Sequence, residues 1–382
     1  MILYTILMSA GCLEVPTTGN HITFIVVGDT GKFPAIQQTV ANGMASVCNA
    51  ENCDFALLLG DNFYNCGVDP DSSSGPDPLW DSFFNNVYSA PSLDIPFYAV
   101  PGNHDYWGED SNGNCDNSQE FALDRVVAQV NYTLTNYPDN TNFSMPWIPS
   151  YKMTEPHDWI EFFPLDTQRI VLGRGDDGNS GTSLLWTDTA DRIANSTANF
   201  KIAFGHHPYL SNGSHGNAGS YDNTIIPEVC DPITHIPIPY NTKKAGVCFK
   251  EYMESNVCGK VDLYISGHDH NLQYLEPVAA CGGTAFIVSG SGSQTSALSG
   301  SNTVYHEAAE AGFFLIKVCG PLGRLDELTM YKHDSTVLYT YTHPNAGLCP
   351  MSATEKTELE LRIADGSGSL PEWNSNDTDT RE

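Results

Sequence analysis

The segment ITFIVVGDTGKFPAIQQTVANGMASVCNAENCDFALLLGDN (residues 22–62) holds two short apolar runs, each closed by Gly-Asp, on either side of a stretch with helical spacing. Continuous apolar runs of about five to seven residues, rich in β-branched and aromatic side chains, read as strands buried on both faces. Between them, Ala35 to Val47 (AIQQTVANGMASV) has an apolar spacing compatible with a crossover helix, weakened by Gly43. The opening is a βαβ unit, so the expected class is α/β.

The same phrase recurs three more times. IPFYAVPGNHD (95–105), FKIAFGHHP (200–208) and VDLYISGHDH (261–270) each pass from an apolar run through glycine into side chains able to bind metal. The glycine is expected to let the chain turn sharply. All five polar clusters then lie just beyond strand C-termini, the edge of an α/β sheet where ligand sites collect. Further on, FIVSGSGS (286–293), FFLIKV (313–318), LTMYKHD (328–334) and VLYTYTH (337–343) form a strand-rich finish expected to build a second sheet. Residues 106–150 and 216–246, dense in Asn, Asp, Pro and Gly, read as long surface loops. The acidic, Gly/Ser-bearing tail from Ala364 to Glu382 reads as disordered.

Composition bounds the function. The chain has 382 residues, 41% apolar and 16% charged, a globular balance with enough length for a large core. Forty-six acidic residues against 17 basic ones leave a formal charge of -29, which argues against nucleic acid or an anionic membrane surface as the main partner. No stretch approaches the ~20 consecutive apolar residues that cross a bilayer. Eleven cysteines without a C-x-x-C pair point to disulfides rather than zinc or redox chemistry. Met1 to Ala10 (MILYTILMSA) resembles the second half of a secretory signal, and removing it beyond Cys12 would leave an even ten cysteines. Sequons at Asn131, Asn142, Asn195, Asn212 and Asn376 agree with a glycoprotein. Together these features point to a secreted or lysosomal/vacuolar protein.

Any one of the five clusters alone is an ordinary turn or helix cap. Five on one edge, supplying Asp29, Asp61, Tyr64, Asn103, His206, His268 and His270, are far harder to assign to turns. Imidazole suits transition metals, while carboxylate, amide and phenolate oxygens suit a harder ion such as ferric iron. A carboxylate can span two cations about 3.5 to 4 Å apart, a spacing that clamps the attacking and leaving oxygens of a phosphoryl centre, and Asp61 is the natural bridge.

The ordered set GDT (28–30), GDNFY (60–64), GNHD (102–105), GHHP (205–208) and GHDHNLQYL (267–275) resembles the purple acid phosphatases of the calcineurin-like metallophosphoesterase superfamily, especially the small tartrate-resistant animal type. The match spans roughly Ile22 to Tyr341. Its most specific parts are Tyr64, three residues after Asp61, and His215, nine residues past His206, where the family places a substrate-facing histidine. The resemblance implies a four-layer αββα sandwich of two mixed sheets flanked by helices. It divides the chain into a lead with a signal segment (1–20), a catalytic domain (21–345) and a C-terminal extension (346–382).

By the same resemblance, Asp29, Tyr64 and His270 hold ferric iron, Asp61 bridges, and Asn103, His206 and His268 hold a second divalent metal, iron, zinc or manganese. His104 and His215 contact phosphate and pass protons to the leaving alcohol, after attack of a metal-bound hydroxide and without a phosphoenzyme. Asp105 either orients the imidazole of His104 or caps a loop. The partners implied are small phosphomonoesters and inorganic phosphate. The alternative is a dimetal phosphodiesterase on the same fold, which typically lacks the tyrosine ligand and the distant histidine; a noncatalytic glycoprotein would usually have lost a ligand.

Several features stay outside this reading. His207 fills the variable place in G-H-x-P and is expected to wall the pocket, and His21, His157, His235, His306, His333 and His343 are expected to be ordinary surface or packing residues. Arg174-Gly175-Asp176 is taken as coincidence, in a loop shorter than the one that covers the site in mammalian members. The Asn212 sequon, three residues before His215, is expected to be unoccupied because a glycan there would obstruct substrate. The loops after Asp105 and His215 are longer than in the small animal type and leave the natural alcohol open.

Overall fold

The structure is a computed structural model that describes residues 21–70, 77–109, 114–116, 122–135, 142–145, 151–152, 159–172, 184–221, 246–320, 322–344 and 346. Its two main sheets have seven strands each. The first runs β16 (Val337–Thr342), β15 (Arg324–Lys332), β14 (Gly312–Cys319), β1 (His21–Val27), β2 (Phe55–Leu58), β3 (Phe97–Ala99) and β6 (Phe143–Ser144). The second runs β13 (Val304–Ala308), β11 (Leu272–Leu275), β12 (Ala285–Ser289), β10 (Leu263–Ser266), β9 (Phe200–Gly205), β8 (Ile160–Leu165) and β7 (Tyr151–Lys152). β4 (Gly108–Glu109) and β5 (Cys115–Asp116) form a separate hairpin pair.

The centre of each sheet is parallel. β1, β2, β3 and β6 pair in parallel in the first, and β8, β9, β10 and β12 in the second, with antiparallel strands added outside them. Alternation along these strands makes the layers. In β1, Ile22, Phe24 and Val26 point into a core shared with Ile160, Phe162, Ile202 and Leu263 of the other sheet. Ile25 and Val27 point the opposite way, onto Val40, Met44 and Val47 of helix α1 (Pro34–Glu51). The second sheet repeats this, with Ala203 and Tyr264 turned outward against α4 (Thr167–Leu172) and α6 (Val247–Asn256). The result is a four-layer αββα sandwich of two mixed sheets.

Aromatic side chains tie the two sheets together. Phe24 stacks on Phe55 with centroids 5.0 Å apart, and Phe162 of the second sheet meets both edge-on at 5.5 and 5.4 Å. Each fully buried phenylalanine contributes about 2–3 kcal/mol through removed apolar area. Disulfides Cys48–Cys53, Cys66–Cys115 and Cys258–Cys281 join neighbouring segments, and Cys248 and Cys319 are also disulfide-bonded. Among the described residues, no helix is long and apolar enough to cross a membrane.

The sequence reading of the finish needs correction. β14, β15 and β16 do not build a second sheet of their own but extend the first, with β14 antiparallel to β1; only the run at 286–293 joins the second sheet, as β12. Apolar alternation marks a strand but not its neighbour. A second correction concerns residues 106–150, where Leu123–Thr135 forms helix α3 rather than loop. Leu123, Val126, Val127 and Val130 fall at i, i+3, i+4 and i+7, with Val126 and Val130 buried in the core, so this helix was legible in the spacing. Gly43, the weak point of the expected helix, is explained by packing: a Cβ there would lie 2.3 Å from the carbonyl oxygen of His333. The tripeptide at 174–176, the extension beyond 346 and the lead 1–20 lie outside the described residues.

Candidate metal centre

All five Gly-led clusters follow parallel strands: GDT after β1, GDNFY after β2, GNHD after β3, GHHP at the end of β9 and GHDH after β10. Three come from one sheet and two from the other, so the centre is built where the two parallel edges meet. Backbone bonds lock that seam, with the Gly28 N–H donating to the Ser289 carbonyl at 2.7 Å and the Gly292 N–H to the Gly28 carbonyl at 3.0 Å.

The expected role of the glycines holds only in part. Of the five glycines before the polar residues, only Gly60 has a positive φ, at 87°; the left-handed conformations fall instead on Asp29 (57°), Asp61 (52°) and His268 (70°). Asp and His tolerate that region better than most residues, and such conformations gather at functional sites. What the glycines supply is closeness. A Cβ on Gly102 would sit 2.2 Å from Asp61 Oδ1, and one on Gly267 2.6 Å from Asp29 Oδ2.

Around this seam the predicted residues converge. Asp29, Asp61 and His206 each bring a ligand-type atom within 4.8 Å of the others, all three buried. The Tyr64 hydroxyl lies between the two carboxylates and donates at 2.6 Å to Asp61 Oδ2 and 3.0 Å to Asp29 Oδ1. His270 Nε2 is 3.4 Å from Asp29 Oδ1. On the other side, His206 Nε2 is 3.4 Å from Asp61 Oδ2, 3.0 Å from Asn103 Oδ1 and 3.1 Å from His268 Nδ1. The far nitrogen of His206 is held by the Leu59 carbonyl at 2.9 Å, which fixes the ring.

The electrostatics of this cluster call for a cation. Burial and the Asp29 and Asp61 carboxylates push the Tyr64 phenol well above its ordinary range. Burial would also raise Asp61, but the neighbouring imidazoles of His206 and His104 hold it well below the usual carboxylate range. Burial lowers His206, yet Asp61 and Asp29 carry it up to about 9. Burial and the surrounding imidazoles push His268 well down. Two buried carboxylates, an amide oxygen, a phenol and three imidazoles pointing at one another form a donor set that fits hard and borderline metal ions.

The two remaining candidates flank the cluster differently. His104 Nδ1 contacts the Asn65 carbonyl at 2.9 Å, its Nε2 lies 4.0 Å from Asp61 Oδ2, and its ring packs between Tyr64 and Trp107 with centroids 4.0 and 3.8 Å away. His215 lies over His268, centroids 4.1 Å apart, with Nδ1 2.9 Å from Asp269 Oδ1. Burial and Asp61 push Asp105 up to about 7, and it does not orient His104; it accepts N–H groups from Gly102 (2.8 Å), Asn62 and Phe63 (both 3.2 Å) and the Gln129 amide (2.9 Å). Of its two readings the loop cap is right, since the carboxylate points away from the ring beside it. His207 is buried behind the pocket, bonded to Thr167 Oγ1 at 2.9 Å, the wall position expected of it.

Sequence reasoning missed Asp269, Ser293 and Gln294. Ser293 Oγ donates to the Asp29 carbonyl at 2.6 Å, and Gln294 Nε2 lies 2.8 Å from His270 Nε2. Both follow β12 in FIVSGSGSQ, a sixth apolar run closed by glycine, so the rule that found the other clusters would have found this one. Asn212 is buried at 2% exposure, its amide nitrogen bonded to the Asn302 carbonyl at 3.0 Å and to Glu307 at 2.7 Å. That side chain has no room for a glycan.

Comparison with known proteins agrees with this architecture. The calcineurin-like phosphoesterase family model matches residues 22–272. Purple acid phosphatase 7 of Arabidopsis thaliana is 31% identical over 286 residues, covering 72% of this chain and 71% of its own. Tartrate-resistant acid phosphatase type 5 of Sus scrofa is 27% identical over 291 residues, covering 71% and 69%. The solved structure of GAP50, the anchor in the inner membrane complex of Plasmodium, has a TM-score of 0.55 at 21% identity, covering 84% of this chain and 88% of its own, a likeness of fold. With the family model over most of the sandwich and relatives over more than two thirds of their length, the chain belongs to the calcineurin-like phosphoesterases and, among them, to the purple acid phosphatases, hydrolases with a dimetal centre.

Proposed function

We propose that this purple acid phosphatase hydrolyses phosphomonoesters at a ferric–divalent metal pair, without a phosphoenzyme, in a secreted or lysosomal/vacuolar setting. In this reading Asp29, Tyr64 and His270 hold ferric iron, Asp61 bridges, and Asn103, His206 and His268 hold iron, zinc or manganese. The observation that carries it is the Tyr64 hydroxyl set between Asp29 and Asp61 at 3.0 and 2.6 Å. A phenol so buried among carboxylates is hard to ionise alone, and a trivalent cation is the partner that reverses this.

When bound, such a pair acidifies water to a nucleophile below neutral pH and neutralises phosphate oxygens. The chain's own residues do the rest. The backbone N–H of His104 donates to Asp61 Oδ1 at 2.8 Å and Gly102 and Gly267 abut the carboxylates, so both acids are held before any ligand arrives. His104 and His215 flank the cluster on opposite sides, where they contact substrate phosphate and deliver a proton to the departing alcohol. The disulfides and the exposed sequon at Asn195 agree with an exported glycoprotein.

A dimetal phosphodiesterase is the second reading, and Tyr64 and His215 weigh against it. The visible absorption spectrum of the purified protein, taken with its metal content, separates the two. A broad charge-transfer band with a pink or purple colour, lost in Tyr64→Phe, is expected. A colourless protein at full metal occupancy would favour a zinc or manganese diesterase and return Tyr64 to packing.

A further inference from the structure

We propose that Asp269 is the positioning residue of His215, its buried carboxylate gripping the imidazole at Nδ1 so that Nε2 is the nitrogen presented to the leaving group. The inference rests on the placement of His215 at the leaving group proposed above. Four observations carry it.

Asp269 Oδ1 accepts both the backbone N–H and the ring Nδ1 of His215, each at 2.9 Å, which sets the loop and the ring with one atom. Oδ2 accepts the Ser211 hydroxyl, and Ser211 Oγ in turn accepts the Gly213 N–H and the Gln273 amide, both at 2.9 Å. Loop 211–215 is thereby strapped to the turn that carries His268 and His270. The strap is tight enough to require glycine, since a Cβ on Gly213 would lie 2.2 Å from the Asp269 Cγ.

The burial of the two partners differs. Asp269 is 0% exposed, whereas the His215 side chain is 32% exposed. A histidine on an open loop samples several rotamers, and a misplacement of about 1 Å can cost ~10²-fold in turnover. A buried acceptor fixed by three further hydrogen-bonded residues removes that freedom. A carboxylate on one imidazole nitrogen also sets which nitrogen faces substrate. Among the described residues, His104 Nδ1 meets a backbone carbonyl at 2.9 Å, and the carboxylate nearest its Nε2, Asp61, lies 4.0 Å away.

In the step concerned, the ester P–O bond breaks and its electron pair goes to the alcohol oxygen. The proton on His215 Nε2 transfers to that oxygen, leaving neutral imidazole with Nδ1–H still on Asp269. The proton released when water becomes the nucleophile restores the imidazolium, so the cycle balances.

The test compares purified Asp269→Ala, Asp269→Asn, His215→Ala and the Asp269→Ala/His215→Ala double variant on two substrates. One is a phosphate ester of a simple alkyl alcohol and the other an aryl phosphate with an acidic phenol, which leaves without help. His215→Ala is expected to lose about 100-fold in kcat on the alkyl ester and only a few-fold on the aryl one. Asp269→Ala is expected to lose about 30-fold with the same selectivity, while Asp269→Asn, which keeps an acceptor oxygen, recovers to within about 5-fold. The double variant should be no worse than His215→Ala alone, because both remove one function. Metal content should not change. Equal losses on both substrates in Asp269→Ala, metal loss, or multiplying losses in the double variant would overturn the role of Asp269. A non-selective His215→Ala would instead remove His215 from the leaving group, and the inference with it.

Discussion

The GNHD turn after β3 and the GHDH turn after β10 have the same kind of sequence and opposite internal wiring. Each places a buried aspartate directly after a histidine, Asp105 after His104 and Asp269 after His268. Asp105 turns inward, accepting from Asn62 and Phe63 of the GDNFY turn, from Gly102 of its own turn and from Gln129 of α3. Asp269 turns outward and holds a histidine from a different loop, 54 residues away in sequence. Adjacency in sequence left the first partnership open and concealed the second. A short helix follows Gly102, and from its third position Asp105 reaches back to accept the Gly102 N–H; after Gly267 the positive φ of His268 redirects the chain, and Asp269 faces the loop instead.

The largest expected effect removes the acid shared by the GDNFY and GNHD turns. Asp61→Ala removes the acid that the Tyr64 hydroxyl and the His104 backbone N–H share, and should abolish metal binding and activity together; metal analysis and a phosphatase assay read both, and full turnover would remove Asp61 from the centre. Next, Asp105→Ala strands several buried N–H groups and should cost on the order of 4 kcal/mol of stability. Thermal unfolding measures this. Because Asp105 does not touch His104's ring, any residual activity should fall equally on alkyl and aryl esters. A leaving-group-selective loss there would erase its difference from Asp269.

The smallest effect lies at the other end of the strands, away from both turns. Asp54 accepts the Thr23 N–H at 2.8 Å, and burial raises it from 3.8 to about 6. Because the folded state holds that proton more tightly than the unfolded one, stability from this group is present below pH 3.8 and is lost as pH rises towards 6. The displacement corresponds to at most about 3 kcal/mol. Asp54→Asn should therefore flatten the stability profile between those pH values, measured by denaturant midpoints across the window. An unchanged slope would show that the group titrates normally.

How far the site was legible follows from the range of its signals. Asp29, Asp61, Tyr64, Asn103, His206, His268 and His270 each sit within a few residues of a strand end, so short apolar runs and glycine located them all. Asp269 was passed over although it lies inside the same motif, because its partner, His215, is brought by a loop whose path depends on Ser211, Asn212 and Gln273. Helix α3 was missed although Leu123, Val126, Val127 and Val130 keep helical spacing, because the segments on either side of it are dense in polar and turn residues.

By itself, the sequence determined the strands that carry the five clusters, the crossover helix and the inventory of metal-capable side chains, since these depend on periodicity and residue chemistry over spans of about ten residues. Only the tertiary structure decided that the last three strands extend the first sheet, that Asp29, Asp61 and His268 rather than most of the glycines adopt the turning conformations, and that Asp105 caps while Asp269 grips. Those outcomes are set by contacts between segments far apart in the chain, where hydrogen-bond partners and close packing select one arrangement from several that local spacing permits equally.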